Sequence, residues 1–219
     1  MSSCTGIHRG RGRPRQLDPA EREAIIIDAA ERIVLAQGLA GASMEAIAQE
    51  AGMSKRTLYD VFESRAALFA SMIRRMRNRM TRPLIPGEQS LPIAERLRIL
   101  LSPTDEKFSD LLPLAILRAV ITEAERQPEL AHEFLQEGPY ALYEMVRKEL
   151  DHSVASGELR ISDTESAARL MTDMAHQSVF EHLVVYKPPC ERKEEYDRRL
   201  ALAIRVFLGG INEGEPAGA

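Results

Sequence analysis

Lys55, Arg56, Thr57, Tyr59 and Asp60 crowd into six consecutive positions of the stretch SMEAIAQEAGMSKRTLYDVF, residues 43 to 62. Side chains of these types can read nucleic acid. A guanidinium can engage guanine bidentately in the major groove, while lysine, tyrosine and a capped helix N-terminus can hold phosphates. At about 100° per residue, Leu58, Val61 and Phe62 turn towards a core together with Ser54. Arg56, Thr57, Tyr59 and Asp60 turn away from it, with Lys55 at the flank.

Other chemistry finds little support. His8, His132, His152, His176 and His182 are scattered, and no HExxH, phosphate-loop or nucleophile-elbow pattern occurs. Asp173 and His176 lie three apart on one helix, but Cys4 and Cys190 offer no metal spacing. The expectation is a protein that is not an enzyme and carries no cofactor and no metal.

The face at 55 to 60 needs elements to present it. Ser43 can cap a helix from Met44 to Ala51 whose Ile47, Ala48 and Ala51 share one side; Gly52 permits a left-handed turn; Ser54 caps the next helix. Two short helices joined by such a turn make a helix-turn-helix. The same geometry occurs in proteins that never touch DNA, so spacing alone leaves open an ordinary solvated helix pair.

Upstream, Asp18-Pro19-Ala20-Glu21 combines an N-cap acid, proline at the first helical position and glutamate three residues after the cap. Ile26, Ala29, Ala30, Ile33 and Val34 keep one apolar stripe, and Gly38 is placed to close the helix. Pro83, Pro86-Gly87, Gly138-Pro139, Gly157 and Pro188-Pro189 punctuate further helical segments. Ser162-Asp163-Thr164-Glu165 predicts a helix running to about Val185. No alternating run argues for a sheet.

The 219 residues are 44% hydrophobic, enough for a sizeable core. The longest apolar runs, AIII at 24 to 27 and LAIL at 114 to 117, are far too short to span a membrane, and no signal-peptide stretch opens the chain. A cytoplasmic location is expected, with no membrane partner. The net charge of -4 hides an asymmetry: residues 1 to 82 carry 14 basic against 9 acidic side chains, residues 83 to 219 carry 15 against 24. Only the first part has the charge to meet a polyanion.

Before the first helix stands RGRGRPRQ, residues 9 to 16, with Arg9, Arg11, Arg13 and Arg15 alternating with glycine and proline. In an extended chain arginines two apart lie about 6.5 Å apart, near the spacing of successive phosphates. Such an arm suits a narrow minor groove. An inert flexible end has the same composition, and both readings stand.

The stretch from about residue 20 to 75 resembles the DNA-binding domain of the TetR/AcrR family of bacterial transcriptional regulators. The residues that carry the likeness are Ile47-Ala48, Ala51-Gly52, Met53-Ser54, Thr57-Leu58-Tyr59 and Phe62, continued by Ala66, Leu68 and Phe69. The resemblance implies that Ser43 meets a phosphate at the start of the second helix and that Lys55, Thr57 and Tyr59 contact phosphates or bases, beside the Ser54 cap. It also implies that Arg65, where the family often has lysine, grips the backbone at the start of the fourth helix. Arg56 is the candidate base reader. Asp60, one turn further, departs from a simple phosphate-binding face, and Val61 stands where many relatives have an aromatic residue or histidine.

Further along, ITEAERQPELAHEFLQEGP at 121 to 139 and VASGELR at 154 to 160 are similar to the AefR/AcrR-like branch, which implies a C-terminal helical domain that dimerises and encloses a small-molecule effector. Candidate effector contacts are Phe108, Leu112, Ile116, Tyr140, Tyr143, Met174 and Phe180, with Arg118 and Gln177 supplying polarity; plain core packing would use the apolar members equally well. For the homodimer surface, Leu170, Met171, Ser178 and Val179 recur at helical steps, as do Leu200, Ile204, Phe207 and Leu208. Intrachain packing claims part of each stripe.

The expected fold is all-α: a disordered basic arm at 1–17, a three-helix helix-turn-helix domain at 18–63, a connecting helix at 64–82, a larger ligand-binding and dimerisation domain at 83–211 and a disordered tail at 212–219. The expected function is a DNA-binding transcriptional regulator, a repressor on a double-stranded, pseudo-palindromic operator, released by a small-molecule effector in the bacterial cytosol. An architectural DNA-binding protein without strong sequence preference is the alternative.

Overall fold

Asp18 accepts a hydrogen bond from the backbone N–H of Ala20, and the Glu21 carboxylate accepts one from the N–H of Asp18, both at 3.3 Å. The first helix, α1 (Pro19–Gly41), therefore starts at its expected cap. The computed structural model describes residues 18–103, 112–176, 183–184 and 189–212. Gly38, at φ 71°, interrupts the helical path inside α1 where a glycine terminator was expected.

After α1 come α2 (Met44–Glu50), α3 (Lys55–Val61) and α4 (Arg65–Met80). Beyond a 3-10 turn at Pro86–Glu88 follow α5 (Ile93–Leu101), α6 (Leu112–Glu123) and α7 (Pro128–Leu135). A π-helical turn, Gln136–Tyr140, leads into α8 (Ala141–Ala155), then α9 (Thr164–Ala175) and α10 (Pro189–Asn212). Among the described residues every such element is helical, and no helix is long and apolar enough to cross a membrane.

The apolar side chains gather into two cores. In the first, Ile26, Ala30 and Ile33 of α1, Ile47 of α2, Leu58 of α3 and Leu68, Met72 and Ile73 of α4 pack together. Leu112, Ile116 and Val120, at four-residue steps along α6, and Leu130 of α7 belong to the same cluster. Helices α1 to α4 thus share their core with part of the region expected to form a separate domain from residue 83. Each such side chain, fully buried, contributes about 1.5–3 kcal/mol, so α6 and α7 are firmly attached to α1 and α4.

The second core joins α5, α8, α9 and α10 through Leu97, Leu101, Val146, Leu150, Met171, Leu200 and Phe207. A buried ion pair pins it. Arg96 Nε lies 2.7 Å from Glu149 Oε1 with both side chains almost wholly covered. Its other nitrogens donate to Ser153 Oγ at 2.7 Å, to the carbonyl of Leu91 at 2.9 Å and to Glu158. Charges so enclosed are tolerated because each finds a partner.

Helix α9 ends at Ala175, about ten residues before the expected Val185. The backbone of His176 is extended, with ψ 141°, and its imidazole Nδ1 sits 2.7 Å from the carbonyl oxygen of Thr172. The ring occupies an end carbonyl of the helix.

Candidate nucleic-acid interface

Two serines set the geometry of the helix pair α2–α3. Ser43 Oγ accepts from the N–H of Ala46 at 3.1 Å, and Ser54 Oγ accepts from the N–H of Thr57 at 3.0 Å. Between them Gly52 takes φ 66°, and the N–H of Met53 returns to the carbonyl of Ala48 at 2.9 Å. Only a glycine enters that left-handed conformation without strain. Leu58 and Phe62 are buried as expected.

The opposite side of α3 carries Lys55, Arg56, Tyr59 and Asp60, all exposed, with Tyr59 at 46%. Lys55 Nζ is 3.9 Å from Glu45 Oε2 in a loose, well-solvated ion pair that a phosphate can replace at little cost. No ion pair ties Arg56 to Asp60 among the described residues, so the guanidinium is available to a base edge. Two expectations are corrected. Ser54 is exposed and does not turn into the core, because its oxygen is committed to the cap. Thr57 is half-buried, its hydroxyl 2.8 Å from Ser54 Oγ, and so supports the turn.

Arg65 is the larger correction. Its Nε donates to the carbonyl oxygen of Ala42 at 2.9 Å, while Nη2 donates to that of Leu39 and Nη1 to the side-chain oxygen of Gln127. Burial pulls its pKa below the ordinary arginine value, opposed by Glu129 and Glu123. The group expected on a DNA phosphate is spent inside the protein, tying the start of α4 to the α1–α2 junction and to the α6–α7 turn. Sequence offers no signal for this, since the acceptors are two backbone carbonyls and a distant glutamine.

The expected effector residues do not converge on one cavity. Leu112 and Ile116 are buried in the first core, because the buried side of α6 faces α1. Met174 is half-buried against the second core. Arg118 is exposed and donates to the carbonyl of Leu183 at 2.8 Å. Tyr140 and Tyr143 do come together, lining a cleft of about 590 Å³ with Gln136, Arg147, Glu165 and Arg169. The Tyr143 hydroxyl donates to Asp173 at 3.1 Å, and burial, then that contact, pushes its pKa above the ordinary phenol value. Arg147 and Arg169 were not expected; Tyr140, Tyr143 and Arg147 at steps of three and four residues were the available signal.

The expected dimer stripe is also corrected. Met171, Leu200, Ile204 and Phe207 are buried within the chain and Leu208 packs partly against them, because α9 packs on α8 and α10, and α10 on α9 and α5. Leu170 is exposed, and so are Leu202 and Val206, which sequence reasoning missed. Arg9, Arg11, Arg13, Arg15, Phe108, Gln177, Ser178, Val179 and Phe180 lie outside the described residues.

Residues 26–72 match the profile of bacterial regulatory proteins, tetR family, and residues 107–210 that of the AefR-like transcriptional repressor, C-terminal domain. Over 98 residues the chain is 34% identical to the HTH-type transcriptional regulator PksA of Bacillus subtilis (strain 168), covering 43% of this chain and 48% of that protein. The chain thus spans about half the length of this curated relative. Among solved structures it is similar to the Flavonoid-responsive Regulator FrrA, with TM-score 0.63 and 26% identity over 90% of this chain and 100% of that one. A TetR transcriptional regulator from Agrobacterium tumefaciens shares the fold, with TM-score 0.62 and 23% identity over 86% of this chain and 93% of that one.

Proposed function

The chain belongs to the TetR family of bacterial transcriptional regulators, with an AefR-like C-terminal domain, and on that premise we propose that it is a DNA-binding repressor that a small-molecule effector releases. The observation that carries this is the exposed face of α3, where Lys55, Arg56 and Tyr59 stand clear of the core on a helix fixed by the Ser54 cap. Arg56 reads a base edge, and Lys55 and Tyr59 grip phosphates on either side. The four arginines between residues 9 and 15 extend this footprint into the neighbouring minor groove.

The protein acts in the bacterial cytosol as a homodimer. The exposed Leu170 of α9 and Leu202 and Val206 of α10 supply its apolar contact. Twofold symmetry then sets two copies of α3 on half-sites about one helical turn, roughly 34–36 Å, apart. The effector must bind the DNA-incompetent state more tightly, and each factor of ten in that preference corresponds to about 1.4 kcal/mol. FrrA is by its name flavonoid-responsive, which favours an aromatic effector here.

Footprinting on the DNA flanking the protein's own gene tests this reading. A discrete protected palindrome is expected; uniform coating without a preferred site would instead mark an architectural protein.

A further inference from the structure

Asp60 places a carboxylate on a face that must approach a polyanion. It stands in the last turn of α3, where the negative end of the helix dipole already disfavours an acid. Nothing in the chain offsets this. Asp60 is exposed, and among the described residues no ion pair or side-chain hydrogen bond reaches it. The cations near it in sequence are directed elsewhere: Lys55 lies 3.9 Å from Glu45 Oε2, and Arg65 donates to the carbonyl oxygens of Ala42 and Leu39. Within the folded chain the side chain therefore has no structural task.

An ionised carboxylate only accepts hydrogen bonds. Against a duplex it is repelled by every phosphate and by the acceptors that guanine and thymine present in the major groove. Its available partners are the exocyclic amines, N4 of cytosine and N6 of adenine. Adenine sets the acceptor N7 beside N6 and is matched better by an amide, which both donates and accepts; cytosine shows its amine without such a neighbour. Arg56 stands one turn earlier on the same exposed side. Side chains so spaced have Cβ atoms about 5–6 Å apart, more than the separation of about 3.4 Å between stacked base pairs. The two groups thus reach different base pairs, the cation a guanine and the carboxylate a cytosine.

We infer, on the proposed reading of α3 as the helix that contacts bases, that Asp60 accepts a hydrogen bond from a cytosine amine in each half-site, at a base pair next to the one Arg56 reads. The same charge acts against other sequences. Where no amine meets it, the carboxylate is held unpartnered beside the phosphates, so Asp60 discriminates partly by weakening binding to wrong sites.

The test begins with a palindrome selected from random duplex by the full wild-type chain. Each position of one half-site is then replaced in turn, and fluorescence anisotropy gives the affinity of the wild type, Asp60→Ala, Asp60→Asn and Arg56→Ala for every duplex. Both residues are exposed, and circular dichroism checks that each variant keeps its fold. At one position the wild type should favour cytosine about five- to tenfold over the other bases. Asp60→Ala should lose that preference, keep the guanine preference that Arg56→Ala loses, and bind unrelated duplex more tightly. Asp60→Asn should move the preference from cytosine to adenine. A palindrome with no cytosine preference, or one whose cytosine preference survives Asp60→Ala, overturns the assignment and leaves the reading of α3 standing. Loss in Asp60→Ala of the guanine preference alone also overturns it, since Asp60 would then act through Arg56. A wild-type chain that selects no sequence refutes the reading of α3 and the role of Asp60 together.

Discussion

Arg65 Nε donates to the backbone carbonyl of Ala42 at 2.9 Å across 23 positions of chain. That contact, with those to Leu39 and Gln127, sets the angle at which α4 leaves the helix-turn-helix and links it to the α6–α7 turn. The residue that family likeness offers to DNA is here the bolt between reading head and scaffold.

A bolt and a phosphate contact respond differently to lysine. Arg65→Lys keeps the charge and the reach but not the three directed donors. Both Arg65→Lys and Arg65→Ala are expected to lose about 1–3 kcal/mol in denaturant unfolding, and lysine should restore neither stability nor operator affinity. Full operator binding by the lysine variant at lowered stability would return Arg65 to the phosphate backbone.

On α10 one apolar stripe is exposed and another is buried, so the proposed dimer contact can be tested apart from folding. Leu202 and Val206 are exposed whereas Phe207 is buried in the second core. Leu202→Arg with Val206→Arg should give a monomer by sedimentation, with each change altering the stability of the fold by no more than about 0.5 kcal/mol. Phe207→Ala should cost about 3–5 kcal/mol through the cavity it leaves. A dimer that survives both arginines places the interface elsewhere.

Acid should loosen α4 from the π-helical turn. The hydrogen bond from Arg74, more than the charge of Arg77, holds the Glu137 carboxyl below its usual 4.5. A carboxylate with a depressed folded pKa stabilises above its unfolded value, and this is lost as pH falls through the folded one. Wild type should therefore be more stable than Glu137→Gln at neutral pH, the difference shrinking below about pH 4.5 and vanishing on further acidification. A gap that stays constant down to strong acid would remove Glu137 from the link.

The helix-turn-helix was legible because its signals are local. Asp18 with Glu21, Ser43, Gly52 and Ser54 each act within four residues, and each does in space what its position implies. The Arg65 contacts were not legible, since chemistry that permits a phosphate also permits a carbonyl, and Leu39 and Gln127 lie 26 and 62 positions away. Periodicity likewise tells that Leu112, Ile116 and Val120 share a face but not that the face meets α1. On α10 two apolar stripes run side by side, and the one that looks best for a partner is the one the chain uses itself.

The claim that α3 reads sequence is tested most directly by selecting DNA from a random pool with the wild-type chain and with Arg56→Ala. The wild type should enrich a palindrome whose half-sites lie about one helical turn apart, and the variant should lose preference at one base pair per half-site, about 1–3 kcal/mol of discrimination. No enriched palindrome, or the same motif at the same strength from both proteins, would contradict it.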